Sequence, residues 1–129
     1  MFELTVTDHV MIAHSLKNPF FGPAQGVHGA TYVVHAGFSC DTLTREQVVL
    51  DIGEAIRILK EVLSRINYQN LDNLPEFGGK LTTTEFLAKY IHELVSQRVT
   101  PFFSGLLKIT LEESPVARAS YSAPAGSGL

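Results

Sequence analysis

Residues 2–12 alternate apolar and polar side chains with a period of two. Alternation of this kind predicts β-strands with one face toward a core. A second stretch, residues 26–40, is rich in Thr, Tyr and Val and is bounded by glycines, which also favours a strand. The apolar positions of the first stretch are Phe2, Leu4, Val6, Val10 and Ile12.

Two histidines fall on the inward faces of these strands. His14 has the parity of Ile12, and His28 has the parity of Ala30 and Tyr32. An inward imidazole can be a core residue satisfied by hydrogen bonds, or it can be a metal ligand. Because a zinc site needs three or four converging ligands, the strands alone favour the core interpretation and leave the metal site open.

The middle of the chain changes to a helical period. Asp51 is a good N-cap, and a stripe of apolar residues follows it at helical spacing. A second helix opens at Thr82, which has capping-box spacing to Glu85. His92 is expected on the exposed side of this helix. The stripe of the first helix contains Ile52, Ala55, Ile56, Leu59, Val62, Leu63 and Ile66.

Two strands are predicted near the C-terminus, at residues 106–114 and 117–121. In the first of these, Glu113 shares the core-facing parity of Leu111, while Glu112 points to water. A carboxylate on that face needs hydrogen-bond donors, unless it is simply a surface acid at a strand end. Residues 1–122 are predicted to form one domain, and residues 123–129 a disordered tail.

The order strand, strand, helix, helix, strand, strand predicts an α+β fold. We expect a four-stranded antiparallel sheet, in the order ββααββ, with both helices on one face. A chain of 129 residues with 45% hydrophobic and 18% charged residues is typical of one globular domain.

Charge and cysteine content indicate which partners the protein binds and in which cellular compartment it lies. A net charge of −3 gives no electrostatic reason to expect nucleic acid or an anionic membrane. No apolar run approaches the roughly 20 residues of a membrane span. The N-terminus lacks the features of a signal peptide, and the lone Cys40 cannot form an internal disulfide. These features predict a cytoplasmic protein.

Five stretches resemble, in order and spacing, the 6-pyruvoyl-tetrahydropterin synthase and 6-carboxytetrahydropterin synthase family. The resemblance implies the tunnelling fold (T-fold), in which subunits form a barrel, usually a hexamer of two stacked trimers with sites between subunits. The stretches are residues 12–16 (Ile-Ala-His-Ser-Leu), 28–32 (His-Gly-Ala-Thr-Tyr), 48–51 (Val-Val-Leu-Asp), 66–72 (Ile-Asn-Tyr-Gln-Asn-Leu-Asp), and 83–85 (Thr-Thr-Glu) with Glu113.

The metal positions depart from this family. The resemblance implies a zinc ion held by three histidines, of which His14 and His28 match. The third position is Ala30, whose methyl group has no lone pair to donate. Two imidazoles bind zinc more weakly than three. No cofactor is therefore expected, and zinc at the two residual histidines is the alternative.

The catalytic positions depart as well. The resemblance implies a cysteine just before the His-Gly-His motif, but residues 22–27 contain none, and Cys40 does not match. The family's aspartate and histidine proton relay corresponds to Asn67 and Tyr68. Asn has no titratable proton, and an ordinary Tyr is a poor base at neutral pH. No catalytic residue is therefore predicted.

The positions that hold the ligand in the family are retained. The resemblance implies that Glu113, Thr83 and Thr84 bind the amino-pyrimidinone edge of a pterin. An ionised carboxylate suits that edge because it can accept two parallel hydrogen bonds. The sequence therefore predicts a homo-oligomer that binds a pterin- or purine-like molecule without the zinc-dependent lyase activity. The alternatives are a degenerate but active lyase and a non-catalytic binding or structural protein.

Overall fold

The computed structural model describes residues 1–126 and contains one mixed sheet with two helices packed against one face. The α+β class predicted from the sequence is confirmed. In chain order the elements are β1 (Phe2–His14), β2 (His28–Cys40), α1 (Ile52–Leu63), β3 (Gln69–Asn70), α2 (Thr84–Val99), β4 (Leu106–Ser114) and β5 (Ala117–Pro124).

The sheet has five strands in the order β3-β1-β2-β4-β5. Neighbouring strands are antiparallel except for β3, which runs parallel to β1 and pairs with Ile12 and Ala13. The predicted four-stranded antiparallel sheet and the order ββααββ are therefore wrong, because β3 lies between the two helices. A strand of two residues has no period that a sequence pattern could reveal.

The core lies between the helices and one face of the sheet. Asp51 caps α1 as predicted, since its carboxylate accepts a hydrogen bond from the Glu54 amide at 2.8 Å. Ile52 and Ile56 were expected in the core but are 53% and 50% exposed. Both lie at the edge of the apolar stripe. The residues of α1 that are buried are Ala55, Ile58, Leu59, Val62 and Leu63.

The second helix begins one residue later than its capping-box spacing predicted. Thr83 is the N-cap, and its hydroxyl accepts a hydrogen bond from the Phe86 amide at 3.1 Å. Thr82 is buried instead, with its hydroxyl 3.1 Å from Nδ1 of His14. Thr82, which was expected to cap the helix, is therefore a hydrogen-bond partner of His14 instead.

His92 was expected to be exposed, but it is completely buried. Its Nε2 lies 3.0 Å from the carbonyl oxygen of Leu107 and 3.1 Å from that of Ala123, so the Nε2–H donates toward both. The Ser96 hydroxyl lies 3.4 Å from Nδ1. His92 thus ties α2 to β4 and β5 through backbone acceptors.

The last strand is longer than predicted. It continues past Tyr121 to Pro124, so Ala123 and Pro124, which were assigned to the tail, belong to β5. The Ala125 amide then donates to the Gly105 carbonyl at 2.8 Å. Residues 127–129 lie outside the described residues. Within residues 1–126, neither helix combines the length and apolar character needed to cross a membrane.

We predict that His92→Ala lowers the free energy of unfolding by about 2–4 kcal/mol, because it leaves a cavity and removes the donor to one buried and one partly buried carbonyl. Urea unfolding at one fixed protein concentration measures this change. His9→Ala is the matched control, since the His9 side chain is 76% exposed. The control should change stability by less than about 0.5 kcal/mol. Similar losses in both variants would contradict the structural role of His92.

Candidate functional site

A pocket of about 250 Å³ opens where the ends of β1, β2 and β4 meet the start of α2. The faces of the strands and the N-terminus of α2 bring together five side chains that the sequence analysis considered. They are His14, His28, Thr83, Thr84 and Glu113. The 3-10 segment Pro19–Gln25 adds part of one wall. The lining residues are His14, Leu16, Phe21, Ala24, His28, Tyr32, Thr83, Thr84, Glu85 and Glu113.

The two histidines face each other across β1 and β2. They are paired residues in the antiparallel register, and their ring centroids are 4.6 Å apart. His28 Nδ1 lies 2.8 Å from the carbonyl oxygen of Gly26, which makes that nitrogen the donor and leaves Nε2 with a lone pair in the neutral ring. Burial, and next the nearby His28, lower the pKa of His14. His14 is therefore neutral at pH 7.

The residues around this pair do not fit a three-histidine zinc site. Ala30 lies on the same face of β2 as His28, but it offers only a methyl group. Among residues 1–126, no three His, Cys, Asp or Glu side chains are grouped so that they could hold a metal ion. Two imidazoles on their own fall short of the three protein ligands of a typical catalytic zinc site.

Glu113 reaches the pocket from a β-bulge. The register between β4 and β5 shifts between Glu112 and Ser114, so Glu113 has no partner on β5. It keeps the face of Leu111 but is exposed, so of the two alternatives that the sequence left open the structure agrees with an acid at the surface near a strand end. The Thr84 hydroxyl donates to Glu113 Oε2 at 3.4 Å. Within the described residues, no cation forms an ion pair with it.

Glu112, on the opposite face, was expected to point freely into water. It is instead half-buried and held by two partners. Its carboxylate lies 2.5 Å from Nε2 of His35 and 3.0 Å from a guanidinium nitrogen of Arg118. The hydrogen bond from His35, and the charge of Arg118, lower the pKa of this carboxyl.

Tyr32 is a pocket residue to which the sequence pattern assigned no role. It shares the face of His28, and this parity was the signal available in the sequence. Its side chain is only 1% exposed, and burial raises the pKa of the phenol. The hydroxyl therefore stays protonated at neutral pH and offers the pocket a hydrogen-bond donor beside Thr84 and Glu113.

Three other positions considered in the sequence lie away from this pocket. Asn67 Oδ1 accepts a hydrogen bond from the Met11 amide at 3.0 Å, which is a structural role. Tyr68 is 77% exposed and adopts a positive φ of 59°. Cys40 lies at the other end of β2 from His28, ~40 Å along an extended strand. None of the three lines the pocket within the part of the chain that the structure describes.

Comparison with known proteins gives both a family match and structural matches. The family model of 6-pyruvoyl tetrahydropterin synthase matches residues 3–124. A comparison with curated proteins found no match. Among solved structures, the chain is similar to 6-pyruvoyl tetrahydropterin synthase of Caenorhabditis elegans, with 21% identity, 95% of each chain covered and a TM-score of 0.82.

Two further solved structures show the same likeness. The 6-pyruvoyl tetrahydropterin synthase of Plasmodium vivax has 17% identity and a TM-score of 0.78, with 95% of this chain and 98% of that one covered. The enzyme of Plasmodium falciparum gives the same identity and coverage with a TM-score of 0.76. At these identities the likeness shows a shared fold.

Proposed function

Because the chain belongs to the 6-pyruvoyl tetrahydropterin synthase family, we propose that its pocket binds a pterin- or purine-like molecule without the zinc-dependent lyase reaction. The observation that carries this proposal is a convergence of side chains. Glu113, Thr83 and Thr84 line the same pocket as His14 and His28, although the five residues come from β1, β2, β4 and the start of α2.

We propose that the Glu113 carboxylate recognises the N–H and NH2 groups on one edge of the ligand ring. Glu113 has no ion-pair partner among residues 1–126, so both of its oxygens can accept from the N–H and NH2 groups of a ring. Two parallel charge-assisted hydrogen bonds of this kind fix orientation as well as position. The Thr84 hydroxyl steadies one carboxylate oxygen, and the Tyr32 hydroxyl is a further donor beside it.

The chemistry that the family resemblance implies is poorly supported in this chain. Residues 15–27 contain neither a cysteine nor an acid, so the loop before the His28 motif has no thiol nucleophile and no carboxylate base. The amide of Asn67 carries no titratable proton and is engaged by the Met11 backbone. Proton transfer within the pocket would therefore fall to His14 and His28, beside Glu85 and Glu113.

We also propose that the chain assembles into a closed oligomer, with a hexamer as the expected form. The short β3 pairs with β1 only at Ile12 and Ala13, and Asn67 and Tyr68 bond the backbone of Met11, so the outer edge of β1 has no neighbouring strand over residues 2–10. Within the described residues, β5 is likewise paired on only one side. Two open edges on one sheet favour pairing between subunits, which a ring can satisfy completely.

We predict that pterin or guanine raises the melting temperature of the wild type by roughly 5–10 °C at about 100 times its Kd. Glu113→Ala should abolish this shift, because the N–H and NH2 groups of the ring lose their charged acceptor. Differential scanning fluorimetry across a pterin and purine panel measures both effects, and light scattering checks that the oligomer is unchanged.

Glu46→Ala is the matched control for this experiment. It removes an exposed carboxylate that does not line the pocket, so the ligand shift should persist. Equal shifts in wild type and Glu113→Ala, or none in either protein across the panel, would remove Glu113 as the ligand anchor. Turnover of dihydroneopterin triphosphate by the wild type would instead favour the degenerate-lyase alternative.

We predict that untagged protein purifies with much less than one zinc per chain by elemental analysis. Ala30→His should raise the affinity for zinc by at least about tenfold, because it adds an imidazole on the face of His28. Thr31→His is the control, since that residue lies on the opposite face of β2. One tightly held zinc in the wild type, lost on His14→Ala, would contradict the proposal.

We predict a solution mass close to six times the 14.2 kDa of one chain. Size-exclusion chromatography with light scattering at micromolar concentration is the measurement. The physical reason is the pair of open sheet edges, which would otherwise expose unpaired backbone groups. A monomeric mass would contradict the proposed assembly. A trimeric mass would show that the oligomer is a single ring of three subunits.

A further inference from the structure

A second pocket, of about 210 Å³, lies on the face of the sheet that the helices do not cover. It shares no residue with the pocket around His14 and His28. The floor is Gly37 of β2, and the walls are polar or charged side chains from β1, β2, β4 and β5. The lining residues are Glu3, Thr5, His35, Gly37, Lys108, Thr110 and Arg118.

The pocket exists because one side chain is missing from a row across the sheet. Thr5, Gly37 and Lys108 are neighbours in register on β1, β2 and β4. A Cβ at Gly37 would lie 3.6 Å from the nearest atoms of Glu3 and Thr5, which is an ordinary contact. The backbone there does not have a positive φ. Neither conformation nor space therefore requires a glycine, and a strand glycine often marks a close approach by a ligand.

The two sides of this gap carry opposite charges that the chain leaves uncompensated. Glu3 accepts hydrogen bonds from the Thr5 and Ser39 hydroxyls, at 3.3 and 3.1 Å, but has no cationic partner among residues 1–126. Lys108, on the other side of Gly37, has no acidic partner in the same part of the chain.

The other two basic side chains of the pocket, Arg118 and His35, already have an acidic partner. Arg118 and His35 both contact Glu112, and the Thr7 hydroxyl lies 2.8 Å from Nδ1 of His35. This chain of contacts fixes the wall formed by β4 and β5. The charges that a ligand could still neutralise are therefore those of Glu3 and Lys108.

We propose that this pocket binds a small zwitterion of the amino-acid type, with its ammonium group toward Glu3 and its carboxylate toward Lys108. A simple anion fits less well, because Glu3 would repel it. A metal ion fits less well, because within the described residues no three ligands converge here. The proposal does not depend on the function proposed for the first pocket.

The test is isothermal titration of the full-length protein with probes of matched size. Glycine, β-alanine and 4-aminobutyrate are zwitterions with increasing charge separation, while acetate and methylammonium each carry one charge. We expect one zwitterion to bind at least about tenfold more tightly than either single-charge probe. Acetate binding as tightly as every zwitterion would overturn the proposal, as would no saturable binding by any probe up to about 50 mM.

Variants then assign the binding to this pocket. Gly37→Thr should abolish it by filling the gap with a residue that strands favour. Gly29→Thr is the matched control, because Gly29 lies on the same strand and the same face but outside the pocket, and a Cβ there would make only an ordinary contact with the Ile12 carbonyl oxygen at 3.8 Å. Binding that survives Gly37→Thr, or that Gly29→Thr removes equally, would contradict the assignment.

Charge variants keep the test decisive if Gly37→Thr does not fold. Glu3→Gln and Lys108→Met preserve size, and each should weaken binding of the zwitterion by at least about tenfold. Unchanged zwitterion affinity in both variants would overturn the proposal.

Discussion

The pairing of β1 with β2 is the constraint on which both pockets depend. The two strands run in register over thirteen residues, from the pair Phe2 and Cys40 to the pair His14 and His28. A slip of one residue would turn every side chain of one strand to the other face of the sheet. The register therefore determines at once that two imidazoles meet on the helix side and that Gly37 opens a gap on the other side.

Much of this fold could be predicted from the sequence, because long elements carry a period. The alternation in β1, β2 and β4 indicated their existence and their inward faces, and the helical stripes indicated α1 and α2. The two-residue β3 was missed because it has no period. His92 was misassigned because its burial depends on carbonyls of β4 and β5, which only tertiary packing brings to α2.

The candidate site was predictable in composition but less so in geometry. Parity alone placed His14, His28 and Glu113 on one side of the sheet, and the structure finds all three at one pocket. The bulge at Glu113 could not be predicted, because its single extra residue leaves no mark on the hydrophobic pattern. The contact of Thr82 with His14 joins residues 68 positions apart, beyond the reach of local spacing.

The pocket on the open face of β2 depends on a small residue. Gly37 interrupts a polar row there, whereas Ala30, on the helix side, shares the face of His28 but does not line the first pocket. A small residue in a strand removes packing that the strand would otherwise gain, so it is a cost to the sheet. A bound molecule can offset that cost, since it stabilises the folded state by occupying the space. The missing side chain at Gly37 is therefore as informative about binding as the side chains that surround it.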